Sequence, residues 1–87
     1  MKKKECTKIV EVIILEVKKL IGPVAITYAN NVEGLKIKNG NVEIKRPSKE
    51  IIIELINNYK KLIGPVAITL AKKAVKGAKL KFKIKEE

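Results

Sequence analysis

The sequence predicts an α+β fold made by tandem duplication. An ααβ unit is written twice, in the order ααββααβ, and a three-stranded antiparallel sheet is covered on one face by helices. Three observations carry this. Residues 18–27 and residues 60–69 both read KKLIGPVAIT, ten identical positions that mark an internal repeat. Apolar residues recur at helical spacing upstream of each copy. Between the copies, residues 35–45 read LKIKNGNVEIK, two alternating runs around Asn-Gly, a strong hairpin signal.

The first helix of each copy follows from a paired stripe. Ile9, Val10, Ile13, Ile14, Val17, Leu20 and Ile21 match Ile51, Ile52, Leu55, Ile56, Tyr59, Leu62 and Ile63. The spacing i, i+1, i+4, i+5, i+8, i+11, i+12 is one face of a helix. Residues 9–17 are rich in β-branched residues and by themselves also fit a strand. The second copy decides for a helix, because Glu54, Asn57 and Asn58 fall off the stripe. Val12 and Leu15 are extra apolar positions, matched by Glu54 and Asn57. That face is either buried by another part of the fold or free for a partner.

Ser48 is suited to cap the second copy, and Pro47 blocks extension backward. The first helices end near Leu20 and Leu62. Gly22-Pro23 and Gly64-Pro65 close one helix and open the next, since proline costs nothing in a first helical turn. The second helices run from about Pro23 to Val32 and from Pro65 to Lys76, with Gly34 and Gly77 as natural stops.

The hairpin turns at Asn39-Gly40 in a type I′ geometry. Its register sets Lys38 opposite Asn41, Ile37 opposite Val42, Lys36 opposite Glu43 and Leu35 opposite Ile44. A last strand, Lys79 to Lys85, turns Leu80, Phe82 and Ile84 inward and is expected to pair with residues 35–38. The chain thus reads as a single domain, 1–87, with repeats 8–38 and 50–81 linked by hairpin strand 42–46.

Composition narrows the function. The 87 residues include 20 Lys plus Arg, nine acids that are all Glu, and no His, for a net charge of +11. Without His or Asp, neither a Ser-His-Asp nor a Cys-His arrangement can form. One cysteine, Cys6, supplies no zinc cluster and no internal disulfide; it reads as a half-buried thiol in a reducing compartment or as an intermolecular link. No enzyme activity, metal, cofactor or small-molecule substrate is expected. No apolar run approaches the length of a membrane span. Lys2-Lys3-Lys4 is not followed by an unbroken apolar run or a cleavage site, so no signal peptide is expected and the placement is cytoplasmic.

The charge points to polyanions. Strand parity puts Lys36, Lys38, Lys45, Lys79, Lys81, Lys83 and Lys85 on the solvent face of the sheet, and Lys72, Lys73 and Lys76 precede them on the last helix. These ten lysines are the candidate contacts to a DNA or RNA backbone, with affinity set by counterion release. The same lysines also suit a solvated antiparallel face or a thermophile-like surface. Tyr28, Tyr59 and Phe82 fall at core positions and Arg46 is the one arginine, so base stacking and base-edge reading are not expected. The paired turns, through the backbone of Gly22, Val24, Gly64 and Val66, form a second candidate, a twin anion site beside Lys18-Lys19 and Lys60-Lys61. The alternative function is protein interaction or self-association, through the last strand edge or the Val12/Leu15 face; a third, weaker reading is association with anionic membrane surfaces, for which no strongly amphipathic basic helix is evident.

Two resemblances attach to the turns. Ile21-Gly22-Pro23 with Ala25 resembles the second half of the helix-hairpin-helix DNA-binding motif, whose first glycine is replaced here by Leu20 or Leu62. Ile63-Gly64-Pro65-Val66-Ala67, with Leu70 and Lys72-Lys73-Ala74, resembles a small helix–IGP–helix domain of bacterial signalling proteins over about 20 residues of each copy. Asn30-Asn31 replace the lysines in the first copy. That resemblance implies an interaction or assembly module.

Overall fold

In the computed structural model, residues 2–38 and 40–84 are described. Six elements follow in order: α1 (Lys3–Ile21), α2 (Val24–Asn30), β1 (Leu35–Lys38), β2 (Asn41–Ile44), α3 (Lys49–Ile63) and α4 (Val66–Gly77). The order is ααββαα, and the sheet has two strands. The expected three-stranded sheet and the final β element are therefore corrected.

Each copy is a helical hairpin. Gly22 has φ 75 and ψ −153, and Gly64 has φ 72 and ψ −157, a region that only glycine occupies without strain. Their N–H groups donate to Lys18 O and Lys60 O at 2.8 Å and close α1 and α3. Their carbonyls accept from Ala25 and Ala67 at 3.1 and 3.0 Å and open α2 and α4. The hairpins pack reciprocally, α1 on α4 and α3 on α2, as two-fold-related units do. One apolar cluster draws on every element.

The stripe on α1 and α3 is buried through Val17 and Tyr59. It then surfaces: Leu20 and Leu62, expected on the same face, are 57% and 38% exposed. Val17 and Tyr59 occupy equivalent places with different solutions. The Tyr59 hydroxyl donates to Ala25 O at 2.6 Å, so its polar tip is satisfied inside the core. One residue earlier, Asn58 Nδ2 donates to Tyr28 O at 3.2 Å, a carbonyl in the last turn of α2. Val12 is half-buried against the core, whereas Leu15 is exposed.

The hairpin has the expected register, Leu35 with Ile44, Lys36 with Glu43, Ile37 with Val42 and Lys38 with Asn41. Gly40 has φ 80, as a type I′ turn needs; Asn39 lies outside the described residues. β1 packs on α2 and β2 on α1.

Among the described residues the third strand is absent, for a local reason. Ile37 is in a non-hydrogen-bonded pair, so its N–H and C=O point away from β2. Asn30 takes both: Ile37 N donates to Asn30 Oδ1 at 2.7 Å, and Asn30 Nδ2 donates to Ile37 O at 3.5 Å. The β1 edge that residues 79–85 were to occupy is capped by a side chain of α2. Residues 80–84 belong to no strand or helix and run beside α3 and α4 instead, with Leu80, Phe82 and Ile84 half-buried and Lys81 and Lys83 exposed. The alternation survives without a ladder.

The stop of α4 is also displaced. Gly77 is helical, and the left-handed residue is Lys79, at φ 57. Lys79 N donates to Lys76 O and Leu80 N to Val75 O, at 3.1 and 3.0 Å, the paired bonds of a Schellman cap. Gly34, at φ 84, does serve near the end of the first copy's helical segment. Ser48 holds the cap position of α3 in extended conformation but makes no side-chain cap bond; its carbonyl accepts from Cys6 Sγ at 3.7 Å.

Two predictions follow from these features. A Cβ at Gly77 meets nothing within 4 Å, so Gly77→Ala should stabilise the fold by about 0.5–1 kcal/mol. Lys79→Gly should add about as much by relieving a left-handed side chain. Urea midpoints measure both, and a lower midpoint for either variant contradicts the cap described.

Tyr59 makes a second test. Burial pushes its phenol above the ordinary 10.0, while the unfolded phenol ionises from there. The folded pKa is raised, so the stabilisation is full below pH 10 and drains away as pH rises further, by up to about 1.4 kcal/mol per pH unit. Tyr59→Phe should cost about 0.5–1.5 kcal/mol at neutral pH and flatten that loss. Parallel stability curves for the two proteins above pH 10 would refute the assignment.

Candidate nucleic-acid interface

The sequence-predicted lysines divide into two groups. Lys36 and Lys38 stand on the outer face of β1, and Lys45 follows β2, its N–H bonded to Gly34 O at 2.9 Å. All three are exposed. They border a groove shared with Glu33 and Glu43, so this surface is mixed in sign. Lys36 is paired across the strands with Glu43.

The second group is more uniform. Lys72, Lys73 and Lys76 are exposed on α4, Lys79 sits in its cap, and Lys81 and Lys83 are exposed on the extended segment. Six lysines fall between residues 72 and 84 with no acid among them. Glu16 of α1 reaches this surface, at 3.8 Å from Lys73 and 3.3 Å from Lys19. Lys85 lies outside the described residues. Without the third strand the two groups do not share one sheet face, and they rise from different elements.

A groove missed by the sequence reading adds to the second group. Lys49 and Lys60 of α3 face Lys81 and Lys83 around Ile53, Ile56, Ile68, Phe82 and Ile84. Lys49, Ile53, Ile56 and Lys60 are spaced i, i+4, i+7, i+11, a shared helix face that was legible. What was not legible is that the C-terminal segment lies along it. The backbone of residues 81–84 has no backbone hydrogen-bond partner among the described residues.

The twin turns offer less to an anion than their N-terminal amides suggest. Of Val24, Ala25 and Ile26, the last two donate to Gly22 O and Pro23 O; Ala67 and Ile68 repeat this with Gly64 O and Pro65 O. Val24 and Val66 contribute the remaining amides, and α2 has seven residues. The rings also fall where base stacking is hard to supply: Tyr59 is buried, and Tyr28 and Phe82 are half-buried. Among the described residues no group of three or more His, Cys, Asp or Glu converges as a metal site. No helix among them is long and apolar enough to cross a membrane.

Cys6 is fully buried, not half-buried. Burial pushes its thiol up, and the backbone of Ser48 and the N-terminal charge offset this only in part. An intermolecular disulfide would require that part of α1 to open.

No family model, curated protein or solved structure matches the chain significantly.

Cys6 gives a direct check on the packing. A thiol reagent at mildly alkaline pH should modify the native protein at the rate of opening, and at once in denaturant. Rapid stoichiometric labelling under native conditions would show that α1 does not seal the core as described.

Proposed function

We propose that this chain binds the phosphate backbone of DNA or RNA without reading bases. The surface is formed by Lys72, Lys73, Lys76, Lys79, Lys81 and Lys83, flanked by Lys49 and Lys60. The observation that carries the reading is the run of six exposed lysines without an acid on one helix and the segment after it. Thermophile-like charge would mix signs into networks, and the acids here are too few for that. Lysine is a compact point charge that meets phosphate without directional readout. A cytoplasmic setting belongs to the same proposal.

Binding should weaken steeply with salt. If all six lysines neutralise phosphates on duplex DNA, the log–log slope is about −5. Lys79, Lys81 and Lys83→Glu together should lower affinity by well over about tenfold at low salt, and Lys36 and Lys38→Glu should change it little. Fluorescence anisotropy with a short duplex and a single strand reads both. No binding to either at low salt overturns the proposal.

One observation favours a second reading, a protein-interaction module. Residues 81–84 form neither helix nor strand, have no backbone hydrogen-bond partner among the described residues and border an apolar groove, which suits addition of a strand from a partner or a second copy. Light scattering after size exclusion separates the readings, since a dimer that Phe82→Glu dissolves would support this one.

A further inference from the structure

Beyond nucleic-acid binding, we infer that the end of the molecule carrying the two Gly-Pro turns docks peripherally on an anionic lipid surface. The two turns lie at the same end. Tyr59, on the last turns of α3 before Gly64, bonds Ala25, on the first turn after Pro23, at 2.6 Å. That contact sets the start of α2, just past the α1–α2 turn, against the part of α3 that leads into the α3–α4 turn.

This end is apolar and basic together. Of the six large apolar side chains most exposed among the described residues, four are here: Leu20, Val24, Leu62 and Val66, at 57%, 38%, 38% and 45% exposure. Each Leu and Val pair is flanked by two lysines, Lys18-Lys19 in one copy and Lys60-Lys61 in the other. Aliphatic tips beside lysine stems are what an interfacial contact uses: the apolar groups enter the headgroup boundary and the ammonium groups meet lipid phosphates.

Comparison of the two copies shows that the fold does not require this surface to stay unchanged. Among the five stripe positions buried in both first helices, three differ: Val10 and Ile52, Ile13 and Leu55, Val17 and Tyr59. The ten residues identical in both copies are mostly exposed or half-buried; only Ala25, Ala67 and Ile68 among them are buried. Packing would preserve the buried positions and release the exposed ones, and the reverse is seen.

The occupant follows from shape and charge. Leu20, Val24, Leu62 and Val66 line none of the three grooves described, whereas Lys60 and Lys61 border the groove beside Asn57 and Asn58 and Lys60 also borders the one beside Phe82, so the apolar side chains stand as tips and not as the walls of a cleft. Two patches of the same chemistry, related by the reciprocal packing of the hairpins, match a plane that presents one chemistry everywhere. Net positive charge at both patches selects an anionic plane.

Vesicle flotation tests this with the intact chain. The wild type should float with equimolar phosphatidylcholine and phosphatidylglycerol and stay behind with phosphatidylcholine alone. Leu20→Ser with Leu62→Ser, both exposed and so compatible with folding, should lower the bound fraction at least about tenfold while duplex affinity is unchanged. Lys79, Lys81 and Lys83→Glu should do the opposite, sparing most of the flotation and losing the duplex. Absence of flotation overturns the inference. So does flotation that survives the leucine substitutions and is lost with the lysines, because that is adsorption through the α4 surface alone.

Discussion

The arrangement of the four helices depends on one backbone geometry, used twice. At Gly22 and Gly64 the N–H closes one helix and the carbonyl opens the next, with φ near 75 and ψ near −155. A side chain there would clash with its own backbone. Proline then sets φ at −59 and −58, which commits the following residue to a helix. The two helices are thereby held as a tight hairpin. Ala25, Ala29, Ala67, Ala71 and Ala74 line the buried faces of α2 and α4, where small side chains let the other helices approach closely.

Two such hairpins could form a symmetric bundle, and the departures from symmetry shape what remains. Val17 meets its surroundings with methyl groups; Tyr59 at the equivalent place adds a ring and a buried hydrogen bond. Glu16 reaches Lys73 across the α1–α4 contact, and its equivalent Asn58 reaches Tyr28 O across the α3–α2 contact. The larger departure is helix length. α2 stops after seven residues and its last residue, Asn30, turns to cap β1; α4 continues for twelve and ends in its own Schellman cap. One copy therefore leads into a paired hairpin and the other into a segment whose residues 81–84 have no backbone hydrogen-bond partner among the described residues.

This also separates what the sequence showed from what it hid. The repeat, the helical stripes and the hairpin register are local or self-checking, and they were legible. The third strand was not. Alternation of Leu80, Phe82 and Ile84 reports an extended backbone with one covered face; it does not report whether the cover is a strand or a pair of helices. The deciding residue, Asn30, is an exposed amide that reads as ordinary loop chemistry until its contact with Ile37 is known. Gly77 misled in a similar way, because a glycine near a helix end signals a stop only if the packing of Val75 and Leu80 places the cap there. Lys49 and Lys60 were visible as one face, but joining them to Lys81 and Lys83 needed the path of the C-terminal segment.

The charge of the chain has two histories within one scaffold. Lys18-Lys19 and Lys60-Lys61 belong to the duplicated unit and flank apolar tips that both copies retain. Lys72, Lys73 and Lys76 of α4 belong to the second copy alone, with Asn30, Asn31 and Glu33 at the matching places, whereas Lys79 and Lys81 match Lys36 and Lys38. A general need for a solvated surface would have touched both copies alike. Instead, one basic surface repeats with the fold and another gathers on the helix that outgrew its counterpart. Longer α4, displaced cap and concentrated charge thus occur together in the second copy. A function assigned to that surface has to use a feature that the duplication alone did not supply.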